Sequence, residues 1–110
     1  MISIVEIPLF ARRVDGAMTA TEVGTFKDFI ARNPRAGDVI RGTGGLRKIR
    51  WQSQGSGKSG GARIIYYFHS DDIPLFLITV YRKADNGRLT KAERNELRGL
   101  GKQLAELYGK

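Results

Sequence analysis

The sequence predicts an α+β domain, in which a small antiparallel β-sheet has N-terminal helices and a C-terminal helix packed on one face. Two segments show helical spacing of apolar residues, and each follows a capping box, Thr19 with Glu22 and Thr90 with Glu93. Between them lie three strand-like segments joined by turn-rich connections, which suits antiparallel pairing. Because the chain has 110 residues, we expect one domain spanning residues 1–110.

The N-terminal half predicts one strand and two helices. Residues 2–7, ISIVEI, are rich in β-branched side chains and indicate an opening strand, which we expect to lie beside the last strand of the sheet. Proline suits the first turn of a helix, so a short helix is expected over residues 8–14. Thr19 and Glu22 then form a capping box that opens a longer helix, residues 19–33.

Three more strands and a final helix are expected in the C-terminal half. Residues 46–51, LRKIRW, are the first of these strands, and alternation places Lys48 and Arg50 on one of its faces. Residues 62–70 form the next strand. Residues 74–82, PLFLITVYR, are almost continuously apolar and predict a central strand buried on both faces. With the helices on one sheet face, the opposite face is expected to carry the basic residues.

The charge of the chain favours polyanionic partners. There are 19 Lys and Arg against 11 Asp and Glu, a formal net charge of +8, and residues 39–70 contain no acidic residue. Nucleic acid is the first candidate, an acidic protein the second and a membrane surface the third. The chain has no cysteine, which excludes disulfides and cysteine-based metal or redox chemistry. With no signal-like or spanning segment, we expect a soluble, cytoplasmic protein.

The stretch GSGKSG, residues 55–60, looks like part of a nucleotide-binding P-loop. A P-loop has the form G-x-x-x-x-G-K-[ST] and leads into a helix whose N-terminus holds the phosphates. Gln52 occupies the first glycine position and a strand follows, so this interpretation is rejected. Two alternatives stay open: a flexible hairpin loop with an incidental lysine, or a mobile arm whose Lys58 contacts phosphates.

The residues left for chemistry are cations. His69 is the only histidine, and no cluster has metal-ligand spacing, so neither a metal site nor a cofactor is expected. Because like charges disfavour a charged lysine, a lysine among cations can serve as a general base, which makes Lys48 a better candidate than Arg50. The residues alone favour simple nucleic-acid binding over catalysis. The candidate cations are Lys48, Arg50, Lys58, Arg63, Arg82 and Lys83.

One long pattern resembles a known family. Residues 33–68, NPRAGDVIRGTGGLRKIRWQSQGSGKSGGARIIYYF, together with residues 77–83, LITVYRK, resemble the RelE/ParE superfamily of toxins from type II toxin–antitoxin modules, most closely its HigB-type branch. The resemblance implies a RelE-like fold and a ribosome-dependent mRNA endonuclease. Such an enzyme cuts mRNA in the ribosomal A site by attack of a 2′-hydroxyl on the adjacent phosphate, without a metal, and so inhibits translation.

The resemblance also implies partners and residue roles. The partners are the ribosome, its mRNA and a cognate HigA-type antitoxin with a helix-turn-helix domain, and operator DNA is bound only through the antitoxin complex. Lys48 would accept a proton or orient the attacking hydroxyl, whereas Arg63 and Lys83 would stabilise the phosphate. RNA or ribosome contacts are expected from Arg47, Arg50, Lys58, Arg82 and Tyr81.

Two points stay open at this stage. RelE stacks a tyrosine near its C-terminus on a base, and here Tyr81 or Tyr108 would have to take that role. Two other functions also remain: a ParE-like inhibitor of DNA gyrase, and a non-catalytic RNA-binding module. A gyrase inhibitor would leave translation intact, and a binding module would leave mRNA uncut.

Overall fold

The computed structural model describes residues 2–52, 61–82 and 89–109. Five strands and three helices are found in this part of the chain. No helix within it combines the length and hydropathy needed to cross a bilayer. The elements are β1 (Ile4–Glu6), α1 (Pro8–Ala17), α2 (Ala20–Arg32), β2 (Asp38–Val39), β3 (Leu46–Trp51), β4 (Ala62–Tyr67), β5 (Leu75–Arg82) and α3 (Lys91–Tyr108).

The five strands form one mixed sheet in the order β1-β5-β4-β3-β2. Strands β3, β4 and β5 pair antiparallel, as predicted, and β1 lies beside β5, which confirms the expected neighbour of the opening strand. Strand β2, which was not predicted, pairs antiparallel with β3. However, β1 runs parallel to β5, so the prediction of a purely antiparallel sheet is wrong. The reason is topological: β1 joins its neighbour through the rest of the fold rather than through a tight turn.

Both long helices begin as the sequence predicted. The Thr19 hydroxyl accepts a hydrogen bond from the Glu22 backbone N–H (3.1 Å), and the Glu22 carboxylate accepts one from the Thr19 N–H (2.8 Å). Thr90 and Glu93 form the same reciprocal pair at the start of α3. The two capping boxes therefore fix the starts of α2 and α3.

The helices cover both faces of the sheet, which corrects the prediction that they share one face. Helices α1 and α2 bury Phe10 and Phe26 in a cluster with Ile64 of β4. Helix α3 buries Leu97 in a second cluster with Ile65, the next residue of β4. Successive side chains of a strand point to opposite faces, so the two clusters lie on opposite sides of the sheet. We call them the α1/α2 face and the α3 face.

Helix α3 is held against the α3 face at two places. Tyr108 stacks on Phe76, near the start of β5, with ring centroids 5.6 Å apart. Gly101 packs against the turn before β3, where an added Cβ would lie 1.7 Å from the Thr43 carbonyl oxygen and 3.1 Å from Leu46 Cγ. Only glycine permits this close approach of helix to turn.

Candidate nucleic-acid interface

Strand β3 presents two cations where the α3 face is exposed to solvent, a region we call the open end of the α3 face. Leu46 is buried under α3, whereas Lys48 and Arg50, two and four residues further along the same face, are exposed. This confirms the prediction from strand alternation that the two cations share a face. Within the described residues, neither side chain has an ion pair or a hydrogen bond. Both charges are therefore available to a ligand.

The fold brings two more predicted residues beside this pair. Arg50 pairs with Arg63 on β4, and Arg63 pairs in turn with Tyr81 on β5. These three residues, called the arginine row here, lie on one face of adjacent strands, which places their backbones within about 10 Å. Burial raises the pKa of Tyr81, and the neighbouring Arg63 guanidinium partly offsets that rise. The Tyr81 hydroxyl is therefore a neutral hydrogen-bond donor close to the Arg63 guanidinium.

The reverse side of β3 is anchored by aromatic packing. Trp51 lies on the α1/α2 face, with its ring centroid 5.2 Å from that of Phe26 and 5.3 Å from that of Phe29. Both phenylalanines belong to α2. This contact fixes the end of β3 that carries Arg50, so the arginine row sits on a supported strand rather than a loop.

A carboxylate that sequence reasoning missed lies next to Lys48. Asp38 is outside the acid-free segment by one residue, but β2 pairs it with Lys48 on the same face. No ion pair joins the two side chains. The site therefore combines the two cations of β3 with one carboxylate. A two-residue strand leaves no readable pattern, so this pairing cannot be recognised in the sequence.

Arg47, a predicted RNA contact, is engaged by the protein itself. Its guanidinium lies on the α1/α2 face and donates hydrogen bonds to the carbonyl oxygens of Gly37 (2.7 Å) and Arg35 (3.3 Å). The same connector is held by Tyr66, whose hydroxyl accepts from the Gly37 N–H (2.8 Å) and donates to the Pro34 carbonyl (2.9 Å). Arg47 thus ties the α2–β2 connector to the sheet.

The other predicted site residues fall in different places. Arg82 pairs with Ala62, which packs on the α1/α2 face, so Arg82 lies on the opposite side from the arginine row. Tyr108 contacts Phe76 at the far end of the sheet, which leaves Tyr81 as the aromatic beside Arg63. Lys58, with the GSGKSG stretch, and Lys83 lie outside the described residues. Their predicted roles stay predictions.

His69 belongs to a separate cleft. It follows the end of β4, about 20 Å along the strand from Arg63, and lines a cleft of about 260 Å³ together with Arg35, Arg47 and Tyr67. Among residues 2–52, 61–82 and 89–109, no group of three or more His, Cys, Asp or Glu side chains is placed to hold a metal ion.

The arrangement of the open end of the α3 face suits a phosphodiester chain. Lys48, Arg50 and Arg63 can bind phosphate oxygens, and a guanidinium can do so through two parallel hydrogen bonds. An aromatic ring in the same row can stack on a base. A scan against models of known protein families found no match to this chain.

Proposed function

We propose that this protein is a ribosome-dependent mRNA endonuclease, or mRNA interferase, the toxin of a type II toxin–antitoxin system. The observation that carries the proposal is the arginine row, Arg50–Arg63–Tyr81, with Lys48 beside it on the same face. The RelE/ParE-like pattern of the sequence, HigB-type in its details, supports the same function. By cutting mRNA in the ribosomal A site, the protein would inhibit translation.

The proposed reaction is an internal transesterification of RNA. The 2′-oxygen attacks the adjacent phosphorus, the bond to the 5′-oxygen breaks, and the products are a 2′,3′-cyclic phosphate and a 5′-hydroxyl. Lys48 accepts the 2′-hydroxyl proton or orients that hydroxyl, and Arg63 stabilises the charge that develops on the phosphate oxygens. The Tyr81 hydroxyl, beside Arg63, would give a proton to the departing 5′-oxygen. Lys83, by the resemblance, would assist Arg63.

The ribosome supplies what the site lacks. No strongly paired acid and base lie in the arginine row, so we expect efficient cutting only when the ribosome positions the mRNA strand. The proposed partners are therefore the ribosome, its mRNA and a HigA-type antitoxin that keeps the toxin inactive in the cytoplasm.

The decisive experiment maps mRNA ends in a translation extract, with and without ribosomes. Wild-type protein is expected to produce ribosome-dependent cuts. Arg63→Ala should slow cutting by about 100-fold or more, since removing one group that stabilises transition-state charge costs that much. Arg32→Ala, a solvent-exposed arginine at the end of α2, is the matched control and should cut normally.

Other outcomes would point elsewhere. If wild-type protein leaves mRNA and translation intact but induces DNA damage in cells, it is a gyrase inhibitor. If it binds RNA in a salt-dependent manner and no cut accumulates on ribosomes, it is a binding module. Growth arrest that persists with Arg63→Ala would remove Arg63 from the mechanism.

A further inference from the structure

Helix α3 carries a row of cations that the candidate site does not include. Lys91, Arg94, Arg98 and Lys102 are exposed and are spaced three, four and four residues apart. At 3.6 residues per turn they fall within about 80° of the helix circumference and extend over about 16 Å. We call this row the basic flank of α3. The spacing of these cations can be recognised in the sequence, but the direction in which the basic flank faces cannot.

Part of the basic flank lines a groove that has no carboxylate in its lining. A groove of about 280 Å³ is lined by Lys91, Arg94, Asn95 and Arg98. In the described part of the chain, none of these side chains has an ion pair or a hydrogen bond. Three neighbouring cations without partners repel one another, so the groove favours an anionic ligand.

Two contacts establish which side of α3 the flank occupies. Gly101 lies on the helix between the buried stripe and the basic flank, and it touches the turn that leads into β3. On the other side of the buried stripe, Glu93 is paired with Arg13 of α1, the helix that packs along β5. The basic flank therefore lies on the β3 side of the helix, where Lys48 and Arg50 are exposed.

The direction of α3 brings the N-terminal end of the basic flank close to the arginine row. The C-terminal end of α3 lies at the start of β5, where Tyr108 stacks on Phe76. Its N-terminal end follows soon after β5 ends at Arg82. Leu97 and Leu89 pack in one cluster with Tyr81, which belongs to the arginine row. Lys91 and Arg94 thus lie at the end of α3 nearest Arg63.

We infer that the basic flank of α3 and the exposed face of β3 are the two walls of one channel, and that the channel holds the sugar-phosphate backbone of an RNA strand next to the reacting phosphate. The inference rests on the proposed function in taking RNA as the polyanion. Cations on a helix flank bind phosphates irrespective of the base, so the flank positions the strand and does not select its sequence. An acidic protein is the disfavoured occupant, since the channel continues into a row suited to phosphate chemistry.

The test compares two double variants by their binding to a short fluorescein-labelled RNA oligonucleotide at a series of KCl concentrations. Arg94→Ala with Arg98→Ala removes two charges from the basic flank. Arg12→Ala with Arg32→Ala removes two exposed charges from α1 and α2, on the far face of the sheet. Alanine is the best helix former, so both variants should fold, and circular dichroism verifies this.

The flank variant is expected to bind RNA more weakly and to lose about 1.4 from the slope of log affinity against log salt, at about 0.7 per phosphate contact on a single strand. The control pair should keep the wild-type slope. If the flank variant keeps the wild-type slope, or both variants lose equally, the channel does not exist.

Cleavage of ribosome-bound mRNA by the same proteins separates this result from the proposed function. If the wild-type protein cleaves mRNA but the flank variant keeps the wild-type salt slope, only the channel is overturned. If the flank variant has a reduced salt slope but the wild-type protein does not cleave mRNA, the channel is supported and the nuclease is overturned.

Discussion

Arg47 and Arg50 lie three residues apart on the same strand, and the fold uses them in opposite ways. Arg47 faces α1 and α2, where its guanidinium holds the carbonyl oxygens of Gly37 and Arg35. Arg50 faces the α3 side, is exposed, and has no side-chain partner within the described residues. The difference follows from strand alternation, because odd positions of β3 point to the α1/α2 face and even positions to the α3 face. On the α3 face Leu46 is buried, whereas Arg50 is exposed.

The comparison teaches that a basic composition overstates the charge available to a ligand. Some cations are structural, as Arg47 is, and Arg13 is another, since it pairs with Glu93 of α3. Other exposed cations, such as Arg12 and Arg32, lie on α1 and α2. The α3 side differs in that several cations without partners in the described residues lie close together there, at Lys48, Arg50 and along the basic flank.

The largest expected effect tests Lys48, the unpartnered cation assigned to chemistry. Lys48→Ala and Lys48→Arg should both slow cleavage of ribosome-bound mRNA by about 100-fold, because a general base contributes at least that much and arginine stays protonated. Single-turnover cleavage rates measure this. If Lys48→Arg cuts at the wild-type rate, Lys48 acts only through its charge and is not the general base.

The second prediction separates the structural arginine from the exposed one. Arg47→Met should lower the free energy of unfolding by about 1–3 kcal/mol, because it leaves backbone carbonyls of the connector without donors. Arg50→Met should change it by no more than about 0.5 kcal/mol, as is usual for exposed positions, while weakening RNA binding. Urea denaturation and RNA titration of the same two proteins give both quantities. Equal stabilities would remove the distinction between the two faces.

The smallest expected effect concerns Glu93, the ion-pair partner of the other structural cation, Arg13. The Thr90 backbone N–H, more than the Arg13 guanidinium, lowers the pKa of Glu93, and burial only partly opposes this. A carboxyl with a lowered folded-state pKa stabilises the fold fully above its ordinary pKa and loses that contribution as the pH falls through the lowered value.

Thermal unfolding as a function of pH tests this assignment. Glu93→Gln should lower the midpoint near neutral pH but converge with wild type in acid, where the wild-type carboxyl is protonated. A capping interaction of this kind contributes about 0.3–1.5 kcal/mol. A constant difference between the two proteins at all pH values would mean that the charge of Glu93 does not act through its cap.

Elements governed by local chemistry were predictable from the sequence. The pairs Thr19–Glu22 and Thr90–Glu93 mark both helix starts because capping is a contact between residues three apart. The exposure of Lys48 and Arg50 on one face follows from strand periodicity. The continuous apolar run of β5 correctly indicated burial on both faces.

The errors arose where distant segments meet. The apolar run of residues 62–68, ARIIYYF, is interrupted only by Arg63, but it does not tell which helix covers which face of the sheet. The parallel pairing of β1 with β5, and the pairing of Asp38 with Lys48, depend on long-range packing that no local pattern encodes. For that reason the cations of the site can be named from the sequence, but Asp38, which lies beside Lys48, cannot.

The close contact at Gly101 determines how wide the proposed channel is. A methyl group there would overlap the Thr43 carbonyl oxygen, so the axis of α3 would have to move away from β3. Such a shift would change the separation between two rows of positive charge without altering either row. Substitution at this neutral, buried position is therefore expected to be as restricted as at the arginines themselves.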